Sequence, residues 1–322
     1  MPEPILNREN LAALFDEQLA SWEQAGNNYK ALERVIAKGV DIEGFPFKVQ
    51  FNPARIVSSA AKVDTKSIQE RKCFLCSENR PAVQKGLEYI HNGDRTDVYT
   101  VLVNPFPIFP KHLTIPLLAH KDQAILGRFD AMADLASLLT EYTLFYNGPK
   151  CGASAPDHFH FQAGNRGFLP LEDSLDKLQK KEVTHYGNSI VYQVLSAING
   201  LIIVKSSSRK ELIDIFYKIY SLLEVKEGET EPMLNILCWF EKGIWTTAMF
   251  IRSKHRPSHY FAEGDGNILI SPAAVDLGGV FITPLEKDFE KISAKDIKNI
   301  LNEVCISFDE LEVLCRKIKL KL

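Results

Sequence analysis

The chain has 322 residues, 45% hydrophobic and 25% charged, with a formal net charge of −3. That composition excludes wholesale disorder, and the length fits about two domains. A nucleic-acid binder usually carries a basic excess, so no nucleic-acid partner is expected. No apolar run approaches the length of a membrane span, so no membrane association is expected either. The opening MPEPILNRENLAALFDEQ places acids where a secretion signal needs a basic, then apolar, stretch. A cytoplasmic protein is the expectation.

The first 40 residues read as helical, with Asn7 capping a helix that carries Leu11, Leu14, Phe15 and Leu19 on one face. A second helix is expected over about 28–37. Residues 48–52 alternate as a strand, and 54–72 read as a polar, basic loop. Strands are expected at 97–104 and 113–118, and a helix over 129–145. Residues 147–156 form a small-residue turn before a strand at 157–162. The lysine-rich stretch 170–187 is the candidate boundary between domains 1–175 and 176–322. Beyond it, strands are expected at 190–195, 201–204, 235–240, 245–251 and 280–283. The second of these pairs forms a hairpin about Glu241-Lys242-Gly243. Helices are expected at 210–223, 293–304 and 308–318, with Ser293 and Asp296 as a capping pair. Strands and helices mix without a strict βα repeat, which favours an α+β fold. A faint similarity of element order suggests an internal duplication.

Six cysteines in a reducing compartment are not a disulfide framework. Two of them, Cys73 and Cys76, stand as CFLC, the spacing of a metal clip. Two thiolates need two more nitrogen or sulfur ligands for a closed zinc site. His158 is one candidate, and either His112 or His120 is the other. The segment DHFHFQ at 157–162 is the second constellation. On a strand, His158, His160 and Gln162 share one face, and Phe159 and Phe161 the other. A neutral imidazole can attack phosphorus and hold a phosphoryl or nucleotidyl group. The preceding turn offers backbone N–H groups, a hydroxyl and a lysine to an anion.

These motifs resemble the histidine-triad superfamily, in its branch of galactose-1-phosphate uridylyltransferases and diadenosine tetraphosphate phosphorylases. The transferases carry a glycine-rich turn, a serine, then HPHxQ. This chain has GAS at 152–154, then APDHFHFQ, with Phe159 in place of the usual proline. CFLC is similar to the transferases' zinc-binding pair, and NPFPIFPKHLTIP at 104–116 to the superfamily's strand motif. The resemblance implies two antiparallel-sheet domains with flanking helices. It implies His160 as covalent nucleophile, Gln162 and Ser154 as phosphate contacts, and Asn147 and Gly152 in the binding turn. It also implies Asn104 at the ribose and Phe74 at the base. The third zinc ligand follows the strand's leading histidine by eight residues in the family, which implies His120 and a Zn2+ tetrad of Cys73, Cys76, His120 and His158. His112 is then left for the phosphate side. Arg55 resembles an arginine that reaches phosphate, and Arg252 and Arg256, in the basic loop RSKHRP, resemble a sugar-phosphate clamp.

The resulting expectation is a nucleotidyltransferase with a nucleotidyl-histidine intermediate. Its partners would be a nucleotide or sugar nucleotide and an acceptor hexose 1-phosphate or phosphate. The rivals are a diadenosine tetraphosphate phosphorylase (ATP adenylyltransferase) and a nucleotide-binding module without catalysis. The sequence leaves the oligomeric state open, a homodimer among the options.

Overall fold

The computed structural model describes residues 5–56 and 65–322. Part of the loop expected over 54–72 therefore lies outside the described residues. Thirteen strands are described: β1 (Ile36–Ile42), β2 (Phe45–Phe51), β3 (Gly86–Ile90), β4 (Val98–Val103), β5 (His112–Pro116), β6 (Tyr142–Asn147), β7 (His160–Asn165), β8 (Lys180–Tyr186), β9 (Ser189–Val194), β10 (Leu201–Ser206), β11 (Leu234–Glu241), β12 (Ile244–Ile251) and β13 (Val280–Thr283). Six described helices have ten or more residues: α1 (Arg8–Ser21), α2 (Glu23–Leu32), α3 (Phe129–Leu138), α4 (Arg209–Tyr220), α5 (Ala294–Val304) and α6 (Phe308–Lys321).

Ten strands form one sheet in the order β3-β4-β5-β7-β6-β11-β12-β10-β9-β8, antiparallel throughout. The order is a repeat. In the first half the strands run β3, β4, β5, then a helix, then β6 and β7. In the second they run β8, β9, β10, a helix, then β11 and β12. Each half has the same spatial order, and the two meet where β6 pairs with β11. The duplicated element order is thus real in three dimensions. The fold is α+β, as expected. Residues 170–187 are not a plain linker: they hold a short helix, Pro170–Ser174, and the edge strand β8.

The two faces of the sheet are covered differently. One face carries Leu113, Ile115, Phe159, Phe161, Tyr146 and Met249 and packs under α1, α3, α4 and α6. There Phe129 of α3 stacks on Phe216 of α4, ring centroids 3.8 Å apart, and ties the two half-sheets together. The other face carries Phe145, Leu237, Ala248 and Phe250 under a small sheet, β1-β2-β13, and α5. β13 joins β2 in parallel, bringing a strand from the end of the chain beside one from its start.

Three local expectations are corrected. The helix expected over 129–145 ends at Leu138, and Tyr142–Asn147 is the central strand β6. Every residue of β6 is buried, so no polar alternation marks it as a strand. The helix expected at 28–37 runs instead over Glu23–Leu32, and 36–42 becomes β1. Glu43 and Gly44 both take positive φ and close a two-residue hairpin, a short-range signal visible in the sequence. The strand expected from 157 starts at His160.

A charged cluster fastens the β3–β4 turn to the helical face. His91 Nδ1 lies 2.8 Å from Asp97 Oδ2, and its Nε2 lies 3.1 Å from Asp134 Oδ2. Arg209 of α4 donates to the same Asp134, 2.6 Å from Nη2. The Asp134 hydrogen bond, with Asp97 and Asp130 adding to it, holds the His91 pKa above its usual value against the opposing effect of burial. Only the protonated ring donates from both nitrogens. Its stabilisation is full below the unfolded pKa of about 6.5 and is lost as pH rises through the higher folded value. Thermal unfolding of wild type and His91→Gln between about pH 6 and 9 should show a gap that closes as pH rises. A gap independent of pH would remove the ring's charge from this account.

Candidate active site

The site grows from the start of β7. Phe159 and Phe161 point into the helical face, where Phe159 contacts Tyr99, Tyr146 and Phe161. The departure from proline at Phe159 therefore packs the core on the far side from the chemistry. His160 and Gln162 point to the other face. His160 is 4% exposed. Its Nδ1 donates to the His158 carbonyl at 2.9 Å, and its Nε2 makes no hydrogen bond among the described residues. Burial pushes the imidazole down to about 4. The ring is therefore a neutral base with one nitrogen lone pair uncommitted.

Gln162 is aimed by His112 on the neighbouring β5. His112 Nδ1 accepts from the Ile108 N–H at 3.2 Å, so the proton sits on Nε2, which donates to Gln162 Oε1 at 3.1 Å. Burial first, then the charge of Arg55, pushes His112 down to about 3 and keeps it in that neutral form. The amide of Gln162 is left with its two N–H donors, the groups an anionic oxygen requires. His112, expected on the phosphate side, acts here on the glutamine.

Four candidate metal ligands gather beside His160. Cys73 Sγ lies 3.3 Å and Cys76 Sγ 3.5 Å from His158 Nδ1, and Cys76 Sγ lies 3.1 Å from His120 Nδ1. All four donor atoms fall within 4.8 Å of one another. A tetrahedron built on Zn–S of about 2.3 Å and Zn–N of about 2.0–2.1 Å has edges of roughly 3.3–3.8 Å, so the set fits such an ion. His158 Nε2 donates to the Leu117 carbonyl at 2.7 Å, which fixes its tautomer and leaves Nδ1 as the ligand atom. The second histidine is His120 and not His112, which lies on β5 against Gln162. An ion pair between Arg71 and Asp157 braces the loop beside His158.

The remaining expected residues divide between cleft and frame. Arg55 follows β2 and donates to the Phe106 carbonyl at 2.8 Å, and its charge is felt at His112. Asn104 shapes the following loop, accepting from the Phe106 N–H at 2.8 Å and donating to Thr114 Oγ1 at 2.9 Å. Ser154 is half-buried in the turn. Phe74 is 49% exposed, with the Arg71 guanidinium 5.1 Å from its ring. Arg256 lies over Tyr260 and donates to Ser271 Oγ at 3.2 Å.

Asn147 Oδ1 accepts from the Ala274 N–H at 2.8 Å and from Asn235 Nδ2 at 2.7 Å. Asn235 Oδ1 in turn accepts from Arg252 Nη1 at 2.7 Å. Arg252 is the clearest correction. It is 3% exposed, and its five N–H groups donate to Asn235 Oδ1 and to the carbonyls of Val304, Pro272, Lys254 and His255. Every donor is used, so it builds the frame and grips no phosphate. Gly152 takes φ +94°, and a Cβ there would sit 2.5 Å from that of Ala273. Gln123 was not singled out by sequence. It is fully buried, and its amide contacts both His160 and Asn147. No motif marks it; a buried glutamine three residues after a metal ligand was the available signal.

Two family models tile the chain. Residues 14–165 match a domain of unknown function, DUF4922, and residues 174–321 match the GDPGP1-like C-terminal domain. Three crystal structures of yeast Ap4A phosphorylase Apa2 share the architecture. The first has a TM-score of 0.57 and 15% identity over 88% of this chain and 97% of that one. The complex with Ap4A gives 0.54 and 16% over 89% and 97%, and the complex with AMP gives 0.55 and 15% over 90% and 97%. No curated protein matches the sequence. The chain has the fold of these phosphorylases, across both of its halves. Among the described residues, no helix is long and apolar enough to cross a membrane.

Elemental analysis should find one divalent metal ion per chain. His158→Ala should lose it and lower the thermal midpoint by at least about 5 °C, since metal binding is folding free energy here. A metal-free wild type that cannot be reconstituted would count against the site. Gly152→Ala should destabilise by about 1–3 kcal/mol or more, from the unfavourable φ and the contact with Ala273 together; an unchanged denaturation midpoint would show that the turn can relax.

Proposed function

We propose that the protein transfers a nucleoside monophosphate through a covalent nucleotidyl-His160. The observation that supports this best is the state of the ring: neutral, buried, with its hydrogen parked on the His158 carbonyl and Nε2 uncommitted. In the first half-reaction, Nε2 attacks the α-phosphorus of a nucleotide substrate. A P–N bond forms as the P–O bond to the leaving group breaks, and the leaving group takes the electron pair. In the second, an oxygen of an acceptor phosphate attacks the same phosphorus, the P–N bond breaks and His160 is regenerated. The Gln162 amide, Ser154 and the N–H groups of the turn hold the non-bridging oxygens. Arg55 and Arg256 are the cations assigned to the remaining phosphate charge. Asn104 and Phe74 are assigned to the nucleoside.

The metal of the Cys73, Cys76, His120 and His158 set is taken to be zinc, which the two thiolates and two imidazoles favour. It would fix the loop before β7 and take no part in bond making. Residues 1–175 would then form the catalytic half and 176–322 the half that completes the cleft.

Two substrate classes are in contention. The transferase-like CFLC pair favours a sugar nucleotide, with phosphate or a hexose 1-phosphate as acceptor. The likeness to Ap4A phosphorylase over both halves favours a dinucleoside polyphosphate with phosphate. The sugar-nucleotide reading is preferred here.

Incubation with UDP-glucose, GDP-hexoses and diadenosine tetraphosphate, followed by intact-protein mass measurement, should show a nucleotidyl adduct with one class. His160→Ala should abolish the adduct and lower turnover by at least about 1000-fold, the scale on which loss of a covalent nucleophile acts. Full turnover by that variant would sink the covalent route.

A further inference from the structure

We propose that Gln123 is a positioning residue for His160, holding the nucleophile's peptide in place of a missing rung of the sheet. The inference rests on the nucleotidyl-histidine reading given above. The ladder between β6 and β7 runs from Tyr142↔Asn165 to Phe145↔Gln162 and stops there. Continued in the same register, it would set Asn147 opposite His160. The two strands have parted at that point, and the Gln123 carboxamide stands between them. Its Nε2 donates to the carbonyls of Asn147 and His160, both at 3.0 Å, and its Oε1 accepts from the His160 N–H at 2.8 Å. One amide thus satisfies both main-chain groups of the nucleophile and one of the residue that opens the binding turn.

On its other side His160 faces Pro116 of β5 as a non-hydrogen-bonded pair: the neighbouring Phe159 carbonyl accepts from the Leu117 N–H at 2.9 Å, so the main-chain groups of His160 point toward β6 and Gln123. The glutamine is itself held by a strap. The Phe159 N–H donates to the Lys121 carbonyl at 2.6 Å, and the Gln123 N–H to the Pro156 carbonyl at 3.0 Å. Residues 120–123 therefore run beside 156–160, with the metal-ligand histidines His120 and His158 along the same stretch. The orientation of His160 depends on a side chain anchored beside the metal site and not on regular strand pairing. A misplacement of about 1 Å at a reacting group can cost on the order of 100-fold in rate.

The test uses Gln123→Met, which keeps the side chain's volume without its hydrogen bonds, and Gln123→Glu, which keeps the acceptor for the His160 N–H. Expected for Gln123→Met is a fall in kcat of about 10–100-fold with KM within about threefold, metal content unchanged and a thermal midpoint lowered by the main-chain groups left without a partner. Gln123→Glu should fall between. Nitrogen chemical shifts of the His160 ring should report one tautomer, protonated at Nδ1, in the wild type and a mixture in Gln123→Met. Wild-type kcat in Gln123→Met, or the same single tautomer in both proteins, would overturn the assignment. So would a loss of kcat in Gln123→Met that only parallels metal loss, with Gln123→Glu fully active. Should the wild type form no adduct with any of the three nucleotides, the covalent reading fails by itself. The tautomer comparison then still decides the role of Gln123.

Discussion

The pairing of β6 with β11 is the contact on which the rest of the molecule depends. It turns two five-stranded half-sheets into one sheet, in a register that sets Asn147 against Asn235. Their side chains bond at 2.7 Å, and Asn235 accepts from Arg252, whose remaining donors hold the 252–256 loop and the segments at 272 and 304. Asn147 also opens the turn that leads to His160. One buried polar chain thus joins the seam of the duplicated sheet to the wall of the site. Buried polar groups are costly unless satisfied, and here each finds a partner, so the network specifies the geometry as well as holding it.

The residues of the candidate site are legible because they sit close together in sequence or carry spacing with a physical meaning. CFLC and the His-Phe-His-Phe-Gln run stand apart by spacing alone, whereas His120 is singled out over His112 only by the family resemblance. The aromatic alternation at Phe159 and Phe161 also foretold which face would be core. Less legible were elements whose neighbours are distant in the chain. β6 is buried on both faces, so its pattern imitated the continuation of α3. β13 joins β2 from the far end of the chain, and nothing local announces that partnership.

Arg252 shows a different limit. A basic loop reads as a phosphate clamp when only its charge is known. Carbonyl acceptors from three separate places in the chain, 254–255, 272 and 304, consume that charge's donors, and no residue spacing reveals them. Gln123 is the converse. It carries no charge and belongs to no motif, yet it is placed where a strand pair opens. Composition and spacing report side-chain chemistry well, but they are silent about which main-chain groups the fold leaves without partners.

The repeated strand order has a consequence for how the two halves age. On the site-bearing face, the first half presents His112, His160 and Gln162, while the second presents Leu201, Ile203, Ala248 and Phe250 to the small sheet. A symmetric pair of separate subunits would be obliged to keep two equal centres, since any change in one gene alters both. Fusion into a single chain lifts that obligation. The half that carries the candidate site is constrained by it, and the other is constrained by its packing and its edge against β6.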